Sequence, residues 1–196
     1  MTESLTVLPT PSSEPELRNV LRDRGCPLDR WGTGAAKTVS HLMRELISGE
    51  SRLAVDDDTG QLVRRVSGAQ LRLRHDGLTL VEALQVFTDG RAEPVRRRDM
   101  QASVGEKMQA GEDPRAAAIR ALAEELQITT PVTLGDPQVL RKRSESFSYP
   151  GLISHFTTWT FDVDLPAEAF REEGYVEVQS DKVSYWTWRP TSRAPF

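Results

Sequence analysis

The order of the elements that the sequence predicts indicates an α+β protein, a mixed β-sheet with helices on its faces. Three observations lead to this fold class. Two amphipathic helices are predicted before residue 50, Asp-Gly pairs separate apolar runs in the middle of the chain, and one capped helix interrupts the predicted strands. The chain has 196 residues, of which 38% are hydrophobic, and this suits one domain with an appendage.

The first helix is predicted over residues 13–25, where Ser13 and Glu16 have capping-box spacing. The second is predicted over residues 35–48, because its apolar residues recur with a helical period. These residues are Val39, Leu42, Met43, Leu46 and Ile47. Such a broad apolar stripe would be costly to leave in water, so we expect both helices to pack on the rest of the protein.

The predicted domain organisation has three parts. Residues 1–13 are rich in Thr, Ser and Pro and are predicted to form a flexible tail. Residues 14–58 are predicted to form a helical extension, and residues 59–196 the main domain. In that domain, strands are predicted over residues 62–75, 78–87, 92–97, 138–147, 153–163 and 183–188. A helix is predicted over residues 114–126, with Asp113 as its N-cap and Pro114 at its first position, and a short helix is predicted over residues 166–174.

Composition excludes some classes of function. The net charge of −4 and the sequence pI of about 5.5 argue against general nucleic-acid binding. The two basic runs, residues 96–98 and 141–143, are interpreted as solvated strand ends or loops. Cys26 is the only cysteine, so no internal disulfide can form, and a single thiol fits the cytoplasm. No apolar run reaches the length of a membrane span, and we expect no membrane partner.

The segment from Gly105 to Ile128 contains the residues with a possible chemical role. Glu124 and Glu125 lie on one face of the predicted helix, and position 121 shares that face one turn earlier. Glu112 comes just before the helix. Three carboxylates from a loop and a helix can bind Mg²⁺ or Mn²⁺, since hard cations prefer oxygen ligands. The alternative for two adjacent glutamates is an ordinary solvated helix face.

This segment resembles the Nudix box, an ungapped pattern of nine defined positions. Six of them match: Glu112, Arg120, Leu122, Glu124, Glu125 and Ile128. Three positions depart from the pattern. Glu106 stands at the first glycine, with Gly105 beside it, Ala121 replaces a glutamate that is a usual metal ligand, and Gln127 replaces the glycine that ends the helix.

The resemblance implies a Nudix-like α/β/α sandwich and a Mg²⁺- or Mn²⁺-dependent hydrolase of a nucleoside diphosphate linked to another moiety. Glu112, Glu124 and Glu125 would be metal ligands. Glu106 compensates for Ala121 if its side chain turns inward, and Gly105 keeps a glycine in this part of the site. Arg120 would orient a helix glutamate, or else form a plain surface ion pair with Glu124.

Many Nudix hydrolases use a further acidic residue outside the box. The candidates in this sequence are Glu172, Glu173, Glu177 and Asp181, and Glu177 is the first choice. Ala121, Glu106 and Gln127 leave a second hypothesis open: a Nudix-fold protein without hydrolytic activity that binds a ligand or partner, or performs other chemistry. A homodimer is also left open, and the sequence does not identify the substrate.

Overall fold

A computed structural model of the chain describes residues 4–88, 93–100 and 104–191. Within these residues it has three α-helices and ten β-strands. The helices are α1 (Glu14–Asp23), α2 (Val39–Ile47) and α3 (Pro114–Leu126). The strands are β1 (Leu5–Val7), β2 (Ser51–Asp56), β3 (Leu62–His75), β4 (Leu78–Phe87), β5 (Val95–Met100), β6 (Val104–Lys107), β7 (Gln138–Glu145), β8 (Ile153–Asp164), β9 (Tyr175–Val178) and β10 (Lys182–Pro190). This content confirms the predicted α+β class.

Several elements have the predicted bounds. The strands β3 and β4 and the helix α3 begin and end where the sequence places them. The turn between β3 and β4 is the predicted Asp-Gly hairpin, with positive φ at Asp76 (43°) and Gly77 (76°). The strand predicted over residues 92–97 is found as Val95–Met100, and residue 92 lies outside the described part of the chain. The basic runs lie within strands β5 and β7 and not at strand ends or in loops, and their side chains are largely exposed.

Other elements differ from the sequence prediction. Strands β1, β2, β6 and β9 were not predicted, and β1 occupies part of the stretch interpreted as a tail, where it pairs with β2. The short helix predicted over residues 166–174 is reduced to a single 3₁₀ turn, Ala167–Ala169. Among the described residues, no helix has the length and apolar character needed to span a bilayer.

The chain divides into two compact units, which are described separately. The first unit contains the described residues up to Gly68 together with Lys107–Glu112 and Leu140–Thr158. The second unit contains the described residues of Ala69–Glu106, Asp113–Val139 and the segment from Trp159 onwards. The domain boundaries at residues 13 and 58 stay predictions.

The two N-terminal helices supply much of the first unit's core. Ser13 caps α1, and Thr38 and His41 form a capping box at the start of α2. Their apolar faces pack against side chains that come later in the chain. The buried cluster includes Leu17, Leu21, Val39, Leu42 and Leu46 from the helical segment and Leu53, Leu62, Tyr149 and Leu152 from beyond it. The expected packing of these helices is therefore confirmed within the first unit.

A buried ion pair lies in the same unit. The side chains of Glu45 and Arg64 are only 7% and 5% exposed, and their charged atoms are 2.6 Å apart. Lys37 and Lys107 also reach Glu45, at 2.9 Å and 2.7 Å. Burial alone would raise the pKa of Glu45, but the charges of Arg64 and Lys107 and the lysine hydrogen bonds outweigh it, so this pKa lies well below its usual range.

Antiparallel pairing joins four strands of the second unit. Strand β4 pairs with β5 and with β10, and β10 pairs with β9. Helix α3 contacts β9. The helix buries Ala117, Ala118, Ala121, Leu122 and Leu126. Glu125 on this helix lies near enough to Glu177 on β9 for the two carboxylates to repel each other.

Candidate functional site

Helix α3 has a defined start and a defined end. The carboxylate of Asp113 accepts hydrogen bonds from the backbone N–H groups of Arg115 and Ala116, at 2.9 Å and 3.3 Å. At the other end, Gln127 adopts the left-handed conformation, with φ 57° and ψ 31°. The backbone N–H groups of Gln127 and Ile128 both donate to the carbonyl of Leu122. Gln127 therefore takes the conformation for which a glycine is the usual residue.

The three positions expected to share one wet face of α3 have different environments. Ala121 is fully buried, whereas the side chain of Glu124 is 57% exposed. Glu125 is half-buried. Position 121 therefore belongs to the buried side of the helix, together with Ala117, Ala118 and Leu122.

Arg120 connects α3 with strand β6. Its Nη1 lies 3.1 Å from Oε2 of Glu124, one turn further along the helix, and 3.6 Å from Oε2 of Glu106. The surface pair that the sequence allowed is therefore present, and Glu106 joins it. This arrangement holds the carboxylate of Glu106 beside α3, on the side where the helix carries Glu124.

Glu125 is surrounded by negative charge. Its pKa is raised to about 8, first because burial removes its carboxylate from water and then because the carboxylates of Glu177, Glu106 and Glu82 repel it. The charge of Lys182 partly opposes this effect. The four glutamates come from α3, β9, β6 and β4, so the second unit brings together acids that are far apart in the chain.

Each neighbouring carboxylate also has a local partner. Glu82 accepts a hydrogen bond from Nε2 of Gln85, at 2.6 Å, and forms an ion pair of 3.1 Å with Arg98. Glu177 accepts a 2.6 Å hydrogen bond from Gln179. Within the described residues, no three His, Cys, Asp or Glu side chains stand close enough together to hold a metal ion. The four acids therefore interact electrostatically without forming a closed ligand set.

The remaining predicted site residues are Glu112 and Gly105. Glu112 belongs to the first unit, where its carboxylate accepts a 2.8 Å hydrogen bond from the backbone N–H of Gln109. Its convergence with Glu124 and Glu125 stays a prediction. Gly105 lies in β6, where a Cβ atom would come within 2.8 Å of Cγ of Gln70. A glycine is therefore needed for the close approach of β6 to β3.

The four acidic candidates outside the Nudix box differ in their exposure to solvent. Glu177 is half-buried and acts on Glu125, whereas Glu172, Glu173 and Asp181 are exposed. Sequence reasoning missed Glu82. The signal was available, because Glu82 is the only charged residue in the apolar run Leu78–Phe87. A carboxylate in the middle of such a strand is costly to bury and often marks a functional position.

Comparison with known proteins finds distant structural likeness. No family model and no curated protein matches the chain. The solved structures to which it is similar include the ORF135 protein of E. coli, with 19% identity and a TM-score of 0.36 over 63% of this chain and 73% of that one. A MutT protein from Bacillus halodurans has 17% identity and a TM-score of 0.33, over 50% and 56% of the two chains. An Ap4A hydrolase of C. elegans has 18% identity and a TM-score of 0.37, over 62% and 77%. Likenesses this distant identify no activity.

Proposed function

We propose that this protein is a cytoplasmic Nudix-type hydrolase that uses Mg²⁺ or Mn²⁺ to cleave a nucleoside diphosphate linked to another moiety. The observation that carries the proposal is the gathering of Glu82, Glu106 and Glu177 around Glu125, at the end of a helix that has the box spacing. Carboxylates that repel one another in a half-buried place are the surroundings that a divalent cation stabilises.

The residues present have the chemistry that suits a hard divalent cation, although no three of those described stand close enough together to enclose one. They are carboxylates, and a bound cation would remove the repulsion that now raises the pKa of Glu125. The cation would supply charge neutralisation of the diphosphate and would make bound water more acidic. Glu124 and Glu125 are the proposed ligands from α3, and Glu106 replaces the carboxylate that Ala121 lacks.

Other residues would position these groups and accept a proton. Arg120 holds Glu106 and Glu124 through its guanidinium. Gly105 lets β6 run close enough to β3 to keep Glu106 at this place. Glu177 is proposed to accept the proton of the attacking water, since it lies outside the box and acts directly on Glu125.

Titration with Mn²⁺ tests the proposal. We expect Glu125→Gln to weaken Mn²⁺ binding at least about tenfold, the change that corresponds to losing one charged interaction. Glu177→Gln should lower the rate of hydrolysis at least about 100-fold, because it removes the proposed proton acceptor. Glu173→Gln is the matched control, because Glu173 is exposed in the segment just before β9. Hydrolysis is measured as release of nucleoside monophosphate from a panel of nucleoside diphosphate derivatives. Equal Mn²⁺ affinity in all three variants and in the native protein would contradict the proposed site.

A second candidate function is a binding protein that keeps the fold without turnover. It is favoured by Ala121, which is fully buried and supplies no carboxylate to a cation. Tight Mn²⁺ binding at Glu125 without any hydrolysis across the panel would favour this candidate.

A further inference from the structure

We propose that the first unit contains a binding site for a small organic phosphate, a phosphate group that carries an apolar aryl or alkyl moiety. The site consists of two adjoining cavities of about 280 Å³ and 380 Å³. They share Gly49, Arg52 and Ala110. We call the smaller one the polar cavity and the larger one the apolar cavity. The proposal does not depend on hydrolase activity.

Two arginines form the anion-binding part of the polar cavity. Arg52 on β2 is paired directly with Arg65 on β3, so both side chains project from the same face of the two strands. Both are exposed and line this cavity. Among the residues that the structure describes, none forms a hydrogen bond or ion pair with either guanidinium. Like charges directly opposite each other destabilise a strand pair, and a phosphate between them would remove that repulsion.

The acids in the polar cavity do not neutralise these arginines. Glu50 forms an ion pair with Lys107 at 3.1 Å and accepts a hydrogen bond from Ser48. Glu112 accepts the backbone N–H of Gln109. Both carboxylates have other partners, whereas the guanidinium groups are free to bind an anion. Ser67 also lines the cavity and can donate its hydroxyl to a phosphate oxygen.

The apolar cavity can hold the aryl or alkyl moiety of the ligand. Its apolar walls include Val7, Leu8, Pro9, Pro11, Leu46 and Ile47. Ile47 is 69% exposed and Val7 is 42% exposed, so a bound apolar group would cover side chains that now face water. A cavity of this size holds one ring or a short alkyl chain. The junction at Arg52 places that group next to the phosphate.

A close backbone contact separates the two cavities. Gly49 has a φ of 78°, and a Cβ atom there would come within 2.6 Å of Cβ of Ala110. The end of α2 and the segment 107–112 therefore meet with no space for a side chain. This contact fixes the junction of the two cavities in place, and a preformed site loses less entropy when a ligand binds.

Phenyl phosphate is the probe for this site. Its binding is measured by calorimetry in EDTA, which keeps divalent cations from contributing. We expect saturable binding that is tighter than that of inorganic phosphate. Arg52→Gln and Arg65→Gln should each weaken it about tenfold, the loss expected for one charge-assisted hydrogen bond. Arg44→Gln is the matched control, since Arg44 is exposed on α2 outside both cavities, and it should leave the affinity unchanged.

Two further measurements make the test decisive. Without ligand, Arg52→Gln should melt no lower than the native protein, because it removes a like-charge contact, and this separates lost binding from lost folding. Hexyl phosphate distinguishes an alkyl ligand from an aryl one. Tighter binding of hexyl phosphate than of phenyl phosphate indicates an alkyl ligand, and weaker binding indicates an aryl ligand. Absence of saturable binding at millimolar phenyl phosphate would overturn the proposal. So would equal weakening by Arg44→Gln and Arg52→Gln.

Discussion

At the scale of single residues, Glu45 and Glu125 show how strongly surroundings control the same side chain. Both carboxylates are withdrawn from water. Glu45 is matched by Arg64, Lys37 and Lys107, and its pKa is lowered. Glu125 faces further carboxylates, and its pKa is raised to about 8. The first group therefore stabilises the fold as an ion, whereas the surroundings of the second favour its protonated form.

Glu125→Gln should increase stability at high pH in metal-free buffer. Below about pH 4.5 the carboxyl is protonated in both the folded and the unfolded chain. As pH rises from 4.5 to 8, the unfolded chain loses this proton while the folded protein keeps it, so native stability falls. We expect the variant to gain roughly 2 kcal/mol at pH 8, since solvent screens part of the repulsion at a half-buried group.

The measurement for this variant is thermal unfolding in EDTA at pH 4.5 and pH 8. The two proteins should melt together at pH 4.5 and apart at pH 8. Mn²⁺ should raise the melting temperature of the native protein at pH 8 much more than that of the variant. A variant that is less stable than the native protein at pH 8 would contradict the repulsion described here.

Glu45→Gln should lower the stability of the folded protein. The change leaves Arg64 buried with two lysines nearby and no carboxylate, and breaking a buried pair in this way costs about 3–5 kcal/mol. Because the pKa of Glu45 is lowered, its contribution is present above pH 4.5 and is lost as pH falls below that value. Urea unfolding at pH 7 measures the loss. Glu50→Gln is the control, since Glu50 is 35% exposed and its change should cost less than about 1 kcal/mol.

At the scale of elements, the sequence predicts best where capping and periodicity agree. Asp113 and Pro114 mark the start of α3, and Asp76-Gly77 marks the β3–β4 turn. Strands β6 and β9 have only four residues each and contain charged side chains, so the alternation of apolar residues is too short to detect. The site depends on these two strands for Glu106 and Glu177. The sequence could name both residues but could not place them around Glu125.

The end of α3 should become more stable with the glycine that the box has at this position. Gln127 has a φ of 57°, which costs a non-glycine residue about 1 kcal/mol. We expect Gln127→Gly to raise stability by roughly 0.5 kcal/mol, after the larger entropy of glycine in the unfolded chain is subtracted. Thermal melts measure the gain. Thr129→Gly is the control without a positive φ, and an equal gain from it would contradict this explanation.

Ala121→Glu tests whether α3 can regain the missing carboxylate. Ala121 is fully buried, so a glutamate there places a charge in the core next to the repulsion that Glu125 already experiences. We expect a loss of about 2–4 kcal/mol in metal-free buffer. Ala116→Glu is the matched control, because Ala116 is exposed in the first turn, where a negative charge is favourable. Undiminished stability of Ala121→Glu would mean that this face can open to solvent.

At the scale of the whole molecule, the N-terminal helices supply part of the core of the first unit. Leu17 and Leu42 are fully buried in the first unit, together with Leu62, Tyr149 and Leu152. The sequence showed that the stripe on α2 needs a partner, but no local pattern identified the partner. The contacts join segments more than 100 residues apart, such as the hydrogen bond from the indole of Trp31 to the carbonyl of Pro150 (2.9 Å).

Deletion of residues 1–50 should therefore unfold the first unit. It removes the apolar faces of α1 and α2 and leaves Leu53, Leu62, Tyr149 and Leu152 without cover, and it also removes Glu45, the partner of the buried Arg64. We expect aggregation or a strongly lowered melting temperature, measured by light scattering and calorimetry.

Leu42→Ala gives a graded version of the same test and should cost about 2–5 kcal/mol. Ile47→Ala, on the same helix but 69% exposed, should cost far less. If the truncated protein melts at the temperature of the full chain, these helices do not support the fold. A large loss in Leu42→Ala with none in Ile47→Ala assigns the effect to the buried face of α2.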